Sequence, residues 1–327
     1  MTSAAVSLPA EGPPAKSLPD ELRPRTKRSP LGGRLRHFKR SITPYLFLSP
    51  FLLTFLAFVV YPLLYAANLS TTRTKIIGGT RFVGIDKYLR ALSDDYFWTG
   101  VKNVVSFGAL QVPVMLGVAL LAALLLDSGI IRRPTVFRLG FFLPFAVPSV
   151  VAALIWGYLY GQAFGPVAQI STFFNISPPL FLSPDSIIPV LANISTWQYA
   201  GYNMVIMYAA LKSIPTELYE AARVDGATGI DIARHIKIPM IAPAIMLTLI
   251  FSIIGTLQLF NEPNVMRQVA PDAIGPNFTP NLYVYNLAFQ NQQFDYSAAI
   301  AFTLATVTVA LVAVILVINT WRTRRSA

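Results

Sequence analysis

Two runs of residues have the types and spacing to grip a polar molecule in an apolar setting. Ser195, Gln198, Tyr199 and Tyr202 follow i, i+3, i+4, i+7, which places them on one face of an α-helix. Ser252, Gly255, Thr256 and Leu259 repeat that spacing. Hydroxyls and an amide donate and accept hydrogen bonds, and tyrosine rings pack on C–H faces, so such stripes suit an uncharged, hydroxyl-rich solute such as a sugar. The same residue types also hold membrane helices together, and Tyr199 and Tyr202 equally fit an aromatic belt at a membrane interface, as Trp98 and Trp321 do. An anionic solute would need an arginine or lysine on either stripe, and neither has one. Covalent chemistry is poorly provided for. There is no cysteine, so thiol nucleophiles, disulfides and cysteine metal sites are excluded. With His37 and His235 as the two histidines, a histidine metal cluster is not expected. No G-x-x-x-x-G-K-[ST] occurs, so the amides and lysine that cradle nucleotide phosphates are missing.

The elements that must carry these stripes are membrane helices. Of 327 residues, 54% are hydrophobic and only 13% charged, a composition of an integral membrane protein. Apolar runs long enough to cross a hydrocarbon core cover Tyr45 to Leu69, Val101 to Leu126, Phe137 to Tyr160, Ile187 to Leu211, Met240 to Phe260 and Ser297 to Trp321. The expected fold is therefore all-α with about six transmembrane helices. Basic residues gather in the first forty positions, at Arg132, Arg133 and Arg138, at Arg223, Arg234 and Lys237, and at Arg322, Arg324 and Arg325. These are alternate connections, which places both termini in the cytoplasm. The 70–98 connection is also basic, but Asp86, Asp94 and Asp95 offset it. The net charge of +11 follows from this topology and from contact with anionic lipid, and nucleic acid is not expected as a partner.

Residues 1–40 form a Pro-, Ser-, Ala- and Arg/Lys-rich stretch without hydrophobic period, expected to be a disordered basic cytoplasmic tail ahead of a membrane domain over 41–327. A signal peptide fits poorly, because the start is polar and the first apolar run is full length. Prolines 50, 62, 113, 144, 148 and 243 fall inside the spans and predict kinked helices around a pathway. Charges are nearly missing from the span centres, which argues against an ion-driven pump.

Between the fourth and fifth spans lies a punctuated polar loop, 213–239. Leu218, Ala221 and Ala222 share a helical face, Gly226 supplies a turn, and Thr228 followed by Asp231 resembles a capping box that starts a second helix with Ile232, Ala233 and Ile236 on its apolar face. Pro239 is expected to close it and to start the next span. Such a helix-turn-helix rests on lipid headgroups or docks into a partner's groove.

Glu220-Ala221-Ala222, Asp225-Gly226-Ala227, Ile236 and Pro239 resemble the EAA loop of the permease subunits of bacterial ATP-binding-cassette importers, "EAAxxDGA" then "IxLP". Ile238 replaces the usual Leu, and Ala233 stands where many relatives carry an aromatic residue. "FFLPFAVPSVVAALIWGYLY" from Phe141 and "SIIGTLQLFNEPNVM" from Ser252 are similar to spans of the sugar-permease branch that includes maltose- and lactose-type permeases. The likeness covers Tyr45 to Trp321.

The resemblance implies a type I importer permease in the bacterial cytoplasmic (inner) membrane. Its loop would be the coupling helix seated on a cytoplasmic ATPase, with Glu220, Ala221, Ala222, Asp225, Gly226, Ala227 and Pro239 as the coupling residues. It implies a second homologous permease as heterodimer partner, a cytoplasmic ATPase dimer holding ATP and Mg, and an extracytoplasmic sugar-binding protein facing the 261–296 segment. No cofactor is expected in this chain, and it is not itself an enzyme. Two rivals stand beside this reading: an importer permease for a non-sugar solute, and an ion-coupled secondary carrier, which would need intramembrane acids or an inverted repeat with broken helices.

Overall fold

A computed structural model describes residues 45–75, 79–162 and 165–326; the expected basic tail lies outside them. The chain divides into two units at Pro62. The described part of the first is the beginning of helix α1 (Tyr45–Thr71), whose apolar side chains point outward almost throughout. A π-helical turn at Leu56–Val60 ends two residues before Pro62, which has no N–H to offer the preceding turn.

The second unit begins with the end of α1 and an antiparallel hairpin, β1 (Thr72–Lys75) and β2 (Gly79–Phe82), that pairs Arg73 with Arg81. Then come α2 (Asp86–Leu92), the 33-residue α3 (Asp95–Asp127) and α4 (Pro134–Phe142). A 3₁₀ turn at Leu143–Ala146 leads into α5 (Ser149–Leu159), followed by α6 (Pro166–Phe173) and the 25-residue α7 (Ile187–Leu211). The polar loop folds as α8 (Thr216–Val224) and α9 (Gly229–Ile232), which runs through a π turn, Ala233–Lys237, into α10 (Ile238–Met240). The last part holds α11 (Ala242–Leu257), α12 (Asn261–Met266), α13 (Pro280–Tyr285) and α14 (Phe294–Ser326).

Four of these helical stretches are long and apolar enough to span a membrane: α1, α3, α11 with α12, and α14. The expected third span is not one rod. Its halves, α4 with the 3₁₀ turn and α5, meet at 97°, because Pro144 and Pro148 bracket the break and Val147 is extended. With this bent pair counted as one, α7 completes the expected six by length. Ser195, Gln198 and Asn203 make α7 less apolar than a lipid-facing span. It tolerates them because it is the buried centre of the bundle, with Leu191, Ile194, Met204, Met207 and Leu211 fully enclosed.

Packing against α7 is set by small residues. On α3, Ala119, Ala122 and Ala123 lie against Met204, Met207 and Leu211, letting the backbones approach. On the other side Gly201 touches the backbone of α4 at Phe141. A second cluster joins Phe107, Ala152, Ala153 and Ile194 to Met266, Ile274 and Leu282. The segment after α11, polar enough in sequence to read as a solvated connection, is instead folded. Met266, Ile274 and Leu282 are buried, and Asn286 ties it together by donating to Pro276 O and Leu282 O, both at 2.7 Å.

One end of the bundle is fastened by Asp94. Its carboxylate caps α3, accepting from the Tyr96 and Phe97 amides at 2.9 and 3.4 Å, and accepts the hydroxyls of Tyr283 (2.9 Å) and Tyr296 (2.6 Å). Burial alone would raise its pKa, but the two tyrosine hydroxyls and the two amides outweigh burial and hold the carboxyl below the usual range. Nearby, Lys87 is buried, pairs with Asp295 at 2.8 Å and donates to the carbonyls of Leu69 and Thr72.

Candidate functional site

A cavity of about 450 Å³ opens among α3, the 3₁₀ turn, α7, α11 and α12. Seven of the eight stripe residues line it: Ser195, Tyr199 and Tyr202 from α7, and Ser252, Gly255, Thr256 and Leu259 from the α11 region. Two helical faces marked independently in sequence thus confront one another across one space. Tyr199 and Tyr202 are therefore not outward-facing belt residues. Phe145 stacks on Tyr202 with centroids 4.8 Å apart and meets Tyr199 edge-on at 6.1 Å, giving one aromatic wall.

Gln198 is the exception and does not line the cavity. Its amide Nε2 donates to Val147 O at 2.8 Å, at the break where Pro148 has no N–H and the helix cannot continue. The sequence stripe could not foresee this, because the acceptor exists only once the third span breaks. Gln198 is thus a splint for the bend between α4 and α5.

Polar capacity in the cavity is unevenly spent. Ser252 Oγ donates to Thr248 O at 2.7 Å, leaving its lone pairs available, whereas Thr256 Oγ1 is buried without a hydrogen-bond partner. Gly255 faces open space where a Cβ would meet nothing within 4 Å. The lining also includes Phe107, Gln111, Asn203, Gln258, Asn261 and Glu262, none of which the spacing argument singled out. Asn203 continues the i, i+4 series of Ser195 and Tyr199, so its signal was present. Gln111 is an amide within an otherwise apolar run, itself a marker. Glu262 sits past the end of α11 and comes to the cavity only because the chain turns at Phe260, where backbone φ is −145° before α12 starts.

The polar loop stands at the other end of α7. Gly226 has φ +87°, a conformation costly for any residue with a Cβ, and it sets the turn between α8 and α9. The capping box is formed: Asp231 N donates to Thr228 Oγ1 at 3.3 Å and Thr228 N donates to Asp231 Oδ2 at 2.9 Å. Hydrogen bonds from the Thr228 hydroxyl and then its amide hold the Asp231 carboxyl below its ordinary range. Thr228→Val should leave the melting temperature of the protein nearly unchanged while speeding amide exchange at Ile230 to Ile232 roughly fivefold. Exchange at wild-type rate would show that the cap does not order α9.

Pro239 does not end the second helix. It sits in α10 directly after the π turn, and the break comes at Ile241 with φ −92° and ψ 6°. Glu220, Ala221, Asp225 and Gly226 are exposed and Ala222 and Ala227 half-buried, and the apolar Leu218, Val224 and Ile230 also face outward. The loop is moored from below. Ile232 is buried, Lys237 Nζ lies 4.9 Å above the Tyr219 ring, and the same ammonium reaches Asp127 Oδ2 at the end of α3 at 2.7 Å.

Residues 115–325 match the family described as binding-protein-dependent transport system inner membrane component. Curated relatives include the arabinooligosaccharides transport system permease protein AraP of Bacillus subtilis, 30% identical over 84% of this chain and 87% of AraP. The lactose transport system permease protein LacF of Rhizobium radiobacter is 33% identical over 80% of this chain and 89% of LacF. Among solved structures, a bacterial ABC transporter involved in import of the acidic polysaccharide alginate superposes with a TM-score of 0.77 at 23% identity, covering 89% of this chain and 98% of that one. The family match spans α7, the polar loop and α11, and on it the chain belongs to the family of binding-protein-dependent transport system inner membrane components.

Proposed function

We propose that this chain is the membrane permease subunit of an ATP-driven carbohydrate importer, and that the cavity between α7 and α11 is its share of the sugar path. The observation that carries the reading is the lining: hydroxyls, amides and an aromatic wall, with unspent hydrogen-bonding capacity at Thr256 and no lysine or arginine. Sugar hydroxyls need donors and acceptors at several points, and their C–H faces stack on rings. Relatives named for arabinooligosaccharide and lactose transport agree with it.

In this reading the polar loop faces the cytoplasm, both termini lie on that side, and the 261–296 segment faces a sugar-binding protein. The exposed residues Glu220, Ala221, Asp225 and Gly226, with Ala222 and Ala227 behind them, seat on a partner ATPase, and Pro239 belongs to the moored base. The sequence lacks a phosphate-cradling loop, so ATP and Mg belong to that ATPase dimer. A second homologous permease completes the path. Displacement of α8 passes through Tyr219, Lys237 and Asp127 to the end of α3, and through α10 to α11. Both α3 and α11 line the cavity, so movement of the loop changes access to it.

The test is ATP-driven uptake of radiolabelled mono-, di- and oligosaccharides into vesicles holding the co-expressed complex, with Glu220→Ala and Gly226→Pro beside the wild type. Uptake should require ATP and fall at least tenfold in Gly226→Pro, whose fixed negative φ is incompatible with +87°. It should fall several-fold in Glu220→Ala, while the binding protein still holds sugar. Uptake without ATP, or indifference to both substitutions, would overturn the importer reading in favour of an ion-coupled carrier.

A further inference from the structure

Glu262 is the one acidic residue among those lining the cavity, and no lysine or arginine accompanies it there. It is 5% exposed, too enclosed for bulk water to screen its charge fully. Among the described residues no cation lies within ion-pairing distance of it. The basic residue nearest in sequence, Arg267, is engaged elsewhere, its Nη1 donating to Asn286 Oδ1 at 3.2 Å. Thr256, also on the lining, offers a second group, a buried hydroxyl with no partner. A buried acid without a cation and a buried hydroxyl without a hydrogen-bond partner, both lining one cavity, are groups a ligand would satisfy.

Resting on the sugar-importer reading above, we propose that Glu262 is a charge filter on the transport path. It admits neutral and amine-bearing sugars, whose O–H and N–H groups donate to it, and it rejects sugars carrying carboxylate or phosphate. A neutral hydroxyl gains a charge-assisted hydrogen bond from a carboxylate. An anionic sugar at the same place must either sit beside a like charge or force one of the two acids, Glu262 included, to take up a proton first. At a separation of about 5 Å in a partly screened interior the repulsion weakens binding by roughly 100-fold.

The test is equilibrium dialysis of radiolabelled maltose, digalacturonate and the glucosamine dimer against the complete permease and ATPase complex in nanodiscs. The binding protein is left out so that delivery does not enter. Wild type should bind maltose and the glucosamine dimer and hold digalacturonate at least 30-fold more weakly. In Glu262→Gln, of nearly equal size, that gap should shrink to about threefold, with maltose itself weakened about fivefold. Thr256→Val should weaken all three ligands by a similar factor and keep their order, separating a hydrogen-bonding loss from a charge effect. Digalacturonate bound within threefold of maltose by wild type, or a gap of 30-fold or more persisting in Glu262→Gln, overturns the filter and leaves the sugar reading intact. Absence of binding by every sugar, in a complex that imports sugar with ATP, also overturns the filter alone. A complex that imports no sugar at all overturns both.

Discussion

Gly201→Ala should remove the folded protein from the membrane, although it adds a single methyl group. A Cβ at this position would stand 1.8 Å from the carbonyl oxygen of Phe141, 2.5 Å from its carbon and 2.9 Å from Phe142 Cα. All three atoms are backbone, so no rotamer change relieves the clash. Either α4 or α7 must retreat by more than an ångström. Retreat of α7 is opposed on its far side, where Met204, Met207 and Leu211 are fully enclosed against the alanines of α3. Retreat of α4 pulls on the 97° bend and on the Gln198 to Val147 hydrogen bond that splints it. Overpacking ordinarily costs about 1–3 kcal/mol. A backbone-on-backbone collision with both escape routes blocked should exceed about 4 kcal/mol, a large share of the stability of a typical domain. After detergent extraction, size-exclusion chromatography should show aggregate or no protein for Gly201→Ala. Gly117→Ala, whose added carbon meets nothing within 4 Å, should elute as wild type. A monodisperse Gly201→Ala peak with unchanged melting temperature would show that the α4–α7 crossing is not as tight as its geometry.

The contrast between Gly201 and the tyrosine stripe shows what the sequence could convey. Ser195, Tyr199, Tyr202, Ser252, Thr256 and Leu259 were legible because a helical period is a local property, and amphipathic faces carry it whatever they pack against. The loop was legible for the same reason: a glycine for positive φ and a Thr-x-x-Asp cap act over four residues. Gly201 carried no such mark, since its meaning depends on α4 arriving from sixty residues away. Gln198 had the right period and the wrong partner, because Val147 O becomes an acceptor only when two prolines break the third span. Glu262 escaped notice at the edge of an apolar run, where a charge reads as an interfacial residue, until the turn at Phe260 carries it to the cavity. α7 was counted as a span for its length, and its polarity made sense only after the surrounding helices showed that it meets protein in place of lipid.

Asp127→Asn should uncouple the loop from the bundle while leaving the cavity's lining untouched. Asp127 is the last residue of α3, where the helix dipole disfavours a negative charge, and it is 4% exposed. Two lysines compensate: Lys237 Nζ at 2.7 Å from Oδ2 and Lys212 Nζ at 2.9 Å from Oδ1. They differ in weight. Lys212 is 55% exposed, so its share is that of a surface pair, below about 1 kcal/mol. Lys237 is 11% exposed, and neutralising its partner leaves a nearly buried ammonium with the Tyr219 ring and an uncharged amide oxygen against it, a loss of about 3 kcal/mol. Lys212→Ala should therefore be almost silent, and Asp127→Asn and Lys237→Met each strongly destabilising. The double variant Asp127→Asn, Lys237→Met should recover most of the lost stability, because no uncompensated charge remains. Coupling should not recover with it. A neutral pair has no directional tie, so loop displacement would be absorbed at the end of α3 before reaching the cavity. The readout is ATP hydrolysed per sugar imported, measured beside the melting temperature. In the double variant the melting temperature should return close to wild type while that ratio stays at least fivefold high. If the ratio returns with the stability, the ion pair is a structural pin alone, and displacement reaches the cavity through α10 and α11.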